Sequence, residues 1–143
     1  DWSSDVCSSD LTAFNGIAYN GYVDLDWITA SETNSHYFIL YRSDGYSEFK
    51  PIARINAAGY SNTDRKYNYK DYKPIEGNMY YKLVETDLNG NKTEHCVINV
   101  YNPYKLEYEV YDQFGRPTDL TTQGFKIIRY ENGSVNCRII ISN

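Results

Sequence analysis

The chain of 143 residues is 41% hydrophobic and 23% charged, with 14 Lys and Arg against 19 Asp and Glu, a formal charge of -5, 16 tyrosines, three cysteines and two histidines. No apolar run approaches the roughly 18 to 20 residues of a membrane-spanning helix, and no block of Lys or Arg is present to neutralise phosphates, so neither a membrane-spanning segment nor a nucleic-acid partner is expected. Two histidines, His36 and His95, leave little material for His-rich metal sites or for acid-base chemistry near neutral pH, and no cofactor is expected.

The opening segment, Asp1 to Leu11, reads DWSSDVCSSDL and fits nothing downstream. It has neither the basic start nor the apolar stretch of a secretory signal. Over all eleven residues it resembles the translation of a sequencing-library adapter, and residues 1–11 are set aside as artefactual. Without Asp1, Asp5 and Asp10 the acidic count falls to 16 against 14 basic residues, and without Cys7 only Cys96 and Cys137 remain. The natural protein is then expected to extend upstream, this chain being its C-terminal piece.

From there the sequence alternates with period two in short runs, interrupted by Gly, Asn, Asp and Pro, and no segment sustains a helical period. Ala13 to Asn20 is a first strand. Tyr22 to Thr29 is a second, with Val23, Leu25 and Trp27 on one face and Asp24 and Asp26 on the other. His36 to Arg42 is a third, placing Phe38 and Leu40 on the face opposite Tyr37 and Tyr41. Ser43-Asp44-Gly45 then supplies a turn before Phe49 to Ala57. Tyr67 to Tyr72, Met79 to Thr86 and Glu94 to Tyr101 bring the count to seven, and Asn89-Gly90 within Asp87-Leu88-Asn89-Gly90-Asn91 between the last two signals a hairpin turn, since both positions tolerate positive φ. Seven short strands are the count of an immunoglobulin-like sandwich, whose core is expected to hold Trp27, Phe38, Leu40, Tyr81 and Leu83.

The order of WITASETNSHYFILYRSDG, FKPIARINAAGYSNT and YKPIEGNMYYKLVETDLNGN resembles the fibronectin type III-like module found near the C-termini of secreted Bacteroidota proteins, over residues 12–101. The resemblance implies a two-sheet sandwich without catalytic chemistry. It also implies a tyrosine corner, for which Tyr80 and Tyr81 both remain candidates.

After Asn102-Pro103 a smaller β-unit of three to four strands is expected over residues 102–143. It comprises Leu106 to Tyr111, a turn at Asp112 to Pro117, Gly124 to Tyr130, and Val135 to Ile141 after Glu131-Asn132-Gly133. At about 40 residues it sits near the size at which an isolated domain needs help, so packing on the first unit or on a partner is expected. Tyr101-Asn102-Pro103, the V-Y-D-x-x-G-R-P run, the G-F-K-I-I run and the final hairpin make it similar to a shortened C-terminal sorting domain of type IX secretion cargo. Its motif residues are Asp112, Gly115, Arg116, Gly124 and Gly133, and only Thr118 to Gln123 fill the space before the hairpin. The resemblance implies recognition by the type IX export machinery, an upstream domain in the same protein, and a secreted or outer-membrane-surface location.

Asp24 and Asp26 suit a solvated sheet face, and Glu85 and Asp87 an edge strand that repels sheet-to-sheet association. Asp87-Leu88-Asn89-Gly90-Asn91 lacks the Gly position and distal Glu of a calcium loop. Cys96 and Cys137 each share a face with branched aliphatics, which suits buried thiols, with a disulfide between the two as the alternative. Glu32 to Ser35 and Ser61 to Thr63 read as polar loops. The excess of tyrosine leaves one rival function, a platform at Tyr37 and Tyr41 for glycans or a cell-surface protein.

Overall fold

A computed structural model describes residues 11–105, 107–130 and 133–141. All of its regular structure is strand: β1 (Leu11–Tyr19), β2 (Tyr22–Thr29), β3 (Glu32–Thr33), β4 (Ser35–Ser43), β5 (Lys50–Asn56), β6 (Tyr60–Ser61), β7 (Arg65–Asp71), β8 (Gly77–Asp87), β9 (Lys92–Asn102), β10 (Tyr108–Asp112), β11 (Gly124–Tyr130) and β12 (Val135–Ile140). The protein is therefore all-β, with no helix long and apolar enough to cross a membrane among the described residues. The chain divides between Pro103 and Tyr104 into two units.

The first unit is a sandwich of a three-stranded sheet, β1-β2-β7, and a four-stranded sheet, β5-β4-β8-β9, all antiparallel. The seven long strands lie within two residues of where alternation places them. Inward rows of the two sheets meet in one core: Phe14, Val23, Leu25 and Trp27 from the first, and Phe38, Leu40, Met79, Tyr81, Leu83 and Val100 from the second. Trp27 is fully buried at its centre, stacked on Tyr67 at 5.4 Å and met edge-on by Phe14 and Phe38. Gly16 faces inward opposite Leu25, and a Cβ there would lie 2.6 Å from Val100 Cγ2, so the absence of a side chain is what lets β1 close against β9.

Three expectations change here. Leu11, set aside with the opening segment, belongs to β1, paired with Thr29 and buried; residues 1–10 of that segment lie outside the described residues. Residues 32–35 are not a polar loop, because β3 pairs with β6, and Glu32 and Ser35 are both buried. Glu85 sits in β8, an interior strand between β4 and β9, so it is no edge-strand charge.

The second unit is a three-stranded antiparallel sheet, β10-β11-β12. Its buried face carries Val110, Ile128 and Lys126. The expected start of its first strand at Leu106 and the turn residues Glu131 and Asn132 lie outside the described residues.

Candidate functional sites

The sandwich carries a buried polar cluster at each end. At one end Asp71 of β7 accepts from Arg42 Nη1 at 2.6 Å, from the Tyr81 hydroxyl at 2.8 Å and from the Lys73 N–H at 3.0 Å. Burial, reinforced by the Asp71 carboxylate, pushes the Tyr81 hydroxyl far above its ordinary value. Of the two candidates for a corner, Tyr81 is thus the buried one. Its acceptor is a side chain rather than the main chain, and Tyr80 lies instead against Gly45, where a Cβ would come within 2.9 Å of its ring.

At the other end the Glu32 carboxylate accepts from the Thr29 hydroxyl at 2.9 Å, from the Ala58 N–H at 2.7 Å and from the Tyr67 hydroxyl. Nearby strands bring together Ser35, Glu85 and His95. Ser35 donates to one Glu85 oxygen, and buried His95 places Nε2 3.0 Å from the other. The hydrogen bond from His95 holds the Glu85 carboxyl below its ordinary range despite its partial burial. Serine and histidine here address opposite oxygens of one carboxylate, so the histidine does not lie between acid and serine as a base activating a nucleophile does. The arrangement cross-links β4, β8 and β9.

Turns carry a second recurring device. Asp87 Oδ1 accepts from the N–H groups of Asn89 and Asn91, while Gly90 N–H donates to Asp87 O. Asp112 does the same with Phe114, Arg116 and Gly115, and its other oxygen accepts from Arg116 Nε at 2.9 Å. In both, the main-chain N–H groups hold the carboxylate below its ordinary range. Only the glycine of each turn has positive φ, 85° at Gly90 and 78° at Gly115. The hairpin expected at Asn89-Gly90 is formed between β8 and β9, through a five-residue D-x-x-G-x turn whose carboxylate is occupied by main chain. Asp44 caps its turn alike, and bonds from the main chain and hydroxyl of Ser47 bring it to about 2. Gly124 and Gly133 also take positive φ, 124° and 84°. The five sorting-motif residues thus fall at turns and at the start of β11, and they do not converge on one point.

The short stretch before the final hairpin is specified in detail. Asp119 accepts from Thr121 and Thr122 N–H groups, and Lys126, buried in β11, donates to the hydroxyls of Thr118 and Thr122 at 3.2 and 2.6 Å. A shallow depression of about 530 Å³ lies beside it, lined by Tyr108, Val110, Pro117, Thr118 and Leu120.

Tyr37 and Tyr41 do share the outer face of β4, both half-buried. Neither offers a clear ring face. Arg54 lies 3.8 Å over Tyr37, and Lys82 is 5.2 Å from the Tyr41 ring centroid and 3.1 Å from Glu94. At one end of the other sheet three tyrosines form a row, Tyr19 against Tyr22 at 5.1 Å and Tyr22 against Tyr72 at 5.7 Å, with Tyr19 and Tyr72 exposed and Tyr22 half-buried. Reading one strand at a time misses this row, because its members come from β1, β2 and the residue that follows β7.

The cysteines differ from expectation. Cys96 packs half-buried against the core and is disulfide-bonded, whereas Cys137 is free and exposed, so the two do not pair. Cys137 shares its face with Val135 and Ile139 as alternation requires, but that face is open. Among the described residues no group of three or more His, Cys, Asp or Glu side chains is placed to hold a metal ion.

Comparison with known proteins adds little beyond these observations. No family model matches, and no curated protein matches. Among solved structures the chain is similar to a β-1,2-glucanase from Parabacteroides distasonis at 22% identity and a TM-score of 0.47, over 71% of this chain and 14% of that one. The chain therefore spans a small part of the length of that protein.

Proposed function

We propose that this chain is a non-catalytic C-terminal module of a longer secreted or surface protein, in which a fibronectin type III-like sandwich spaces an upstream domain from a sorting tail read by type IX export machinery. The observation that carries the reading is the division at Pro103. A sandwich with a closed core is followed by a separate β-unit whose D-x-x-G-R turn, G-F-K-I-I strand and final hairpin are those of the resemblance. The carboxylates of Asp71, Glu32 and Glu85 tie neighbouring segments of the sandwich to one another, which supports a spacer over an enzyme.

The test is export of a fluorescent reporter in a host with type IX secretion, each fusion carrying the ordinary inner-membrane signal. A fusion to residues 11–143 is expected at the surface or in the medium, and one to residues 11–103 in the periplasm. Equal retention of both would overturn the sorting role. A second reading, ligand binding through tyrosines, is favoured by the row of Tyr19, Tyr22 and Tyr72, exposed at both its ends, more than by Tyr37 and Tyr41. Glycan-array binding lost in Tyr72→Ala, with the melting temperature unchanged, would establish it.

A further inference from the structure

The two edges of the C-terminal sheet are not alike. Along β10 the chain covers its own edge: Thr118 N–H donates to Val110 O at 2.9 Å, and Pro117 bridges to Tyr111. Along the other edge, β12 pairs only with β11 among the described residues, and Val135 to Ile139 are all exposed. Open edges are ordinarily blunted by proline, a bulge or several charges. This one reads Val-Asn-Cys-Arg-Ile-Ile, in unbroken register from Arg129↔Val135 to Gly124↔Ile140, with Arg138 as its one charge.

We propose that β12 is the pairing edge of a symmetric dimer, in which a second copy of this chain lays its own β12 antiparallel to the first with Cys137 opposite Cys137 of the partner subunit. The argument is one of parity and charge. Residues directly opposite in an antiparallel pair share a face, so two identical strands related by a two-fold axis must place one residue opposite its own copy. Only Cys137 or Arg138 at that position lets the strands overlap along their length. The second choice sets two guanidinium groups against each other, which is destabilising.

Centring on Cys137 instead places Asn136 opposite the partner's Arg138 and Val135 opposite the partner's Ile139. The apolar face then continues from one copy to the other. The backbone agrees. Tyr130 N–H donates to Ser134 O at 2.9 Å, and since hydrogen-bonded pairs alternate along an antiparallel ladder, the N–H and C=O of Val135, Cys137 and Ile139 point away from β11. Opposed hydrogen-bonded residues have Cα atoms about 5.5 Å apart, inside the range a disulfide can bridge, so Cys137 is a reporter of the register.

The test is sedimentation of the full chain without reductant, so that the disulfide of Cys96 stays intact. Wild type and Cys137→Ser are expected to dimerise with rising concentration. Cys137→Pro, which removes an outward N–H that an edge strand can spare, is expected to stay monomeric with an unchanged circular dichroism spectrum. Asn136→Glu sets a carboxylate opposite each of the two Arg138 side chains and is expected to tighten the dimer roughly two- to thirtyfold, which decides the matter should the proline variant not fold. Diamide, taking up the two thiol hydrogens as the disulfide forms, should link wild-type dimers and leave Cys137→Ser unlinked. A wild type that stays monomeric, a folded proline variant that still dimerises, an Asn136→Glu variant that binds no tighter, or a cross-link that survives Cys137→Ser would each overturn the proposal.

Discussion

In the sandwich, Trp27, Phe38, Leu40, Tyr81 and Leu83 have no exposed surface, the sheets are joined at one end through Asp71, and at the other Glu32 ties β2 and β7 to the main chain that follows β5. In the C-terminal unit, Val110 and Ile128 are the buried hydrophobics among the described residues, while Val135 and Ile139 are 59% and 68% exposed. Yet the two units turn their chains with the same five-residue D-x-x-G-x device, at Asp87 and at Asp112. The difference shows which features are local. A turn of this kind is complete within five residues, whereas a closed core needs a second sheet, which a unit of about 40 residues does not supply by itself.

The sharpest way to break the comparison is to truncate one large apolar side chain in each unit, buried in the sandwich and exposed in the tail. Trp27→Ala, which empties the space among Phe14, Phe38 and Tyr67, is expected to cost about 3–5 kcal/mol in denaturant unfolding, while Ile139→Ala should change stability by less than about 0.5 kcal/mol. Glu32→Ala leaves the Ala58 N–H and the Thr29 and Tyr67 hydroxyls without their acceptor, and a loss of roughly 3 kcal/mol is expected in the same measurement. Tyr81→Phe deletes one bond to a carboxylate that keeps Arg42 and Lys73, so the expected loss is smaller, about 1.5–3 kcal/mol.

The comparison sharpens further with pH. The Glu85 carboxyl titrates below its ordinary value of 4.5 in the folded protein, so the stability it contributes is fully present above pH 4.5 and is lost as pH falls through the lower folded value. Melting curves across that window should show wild type losing its advantage over Glu85→Gln as the solution is acidified; a constant difference would exclude the His95 and Ser35 bonds as its source. Least disruptive is labelling of Cys137, whose exposed thiol should react with a disulfide reagent in the absence of denaturant, leaving the melting temperature of the sandwich unchanged.

Much of the fold was legible because burial follows period two in a half-buried sheet. Val23, Leu25 and Trp27, then Phe38 and Leu40, name their own face, and the seven long strands follow. Glu32 was not legible. It stands in a polar run, and its acceptor role depends on Ala58 and Tyr67, 26 and 35 residues away. Glu85 misled for a related reason, since proximity to a hairpin does not tell whether another strand lies beside it, and β4 and β9 flank β8. The exposed face of β12 was hidden in the opposite sense. Alternation correctly grouped Val135, Cys137 and Ile139, but a pattern of residues specifies a face without specifying what covers it.

The most direct test of the account uses the turn that both units share. In the full-length reporter fusion, Asp112→Ala with Gly115→Val disrupts the turn of the tail, and Asp87→Ala with Gly90→Val disrupts its counterpart in the sandwich. If the tail is the part that the export machinery reads, the first pair leaves the reporter in the periplasm while the second still delivers it to the surface. Equal delivery by both, or a block by the sandwich pair alone, would contradict the assignment of export to the C-terminal unit.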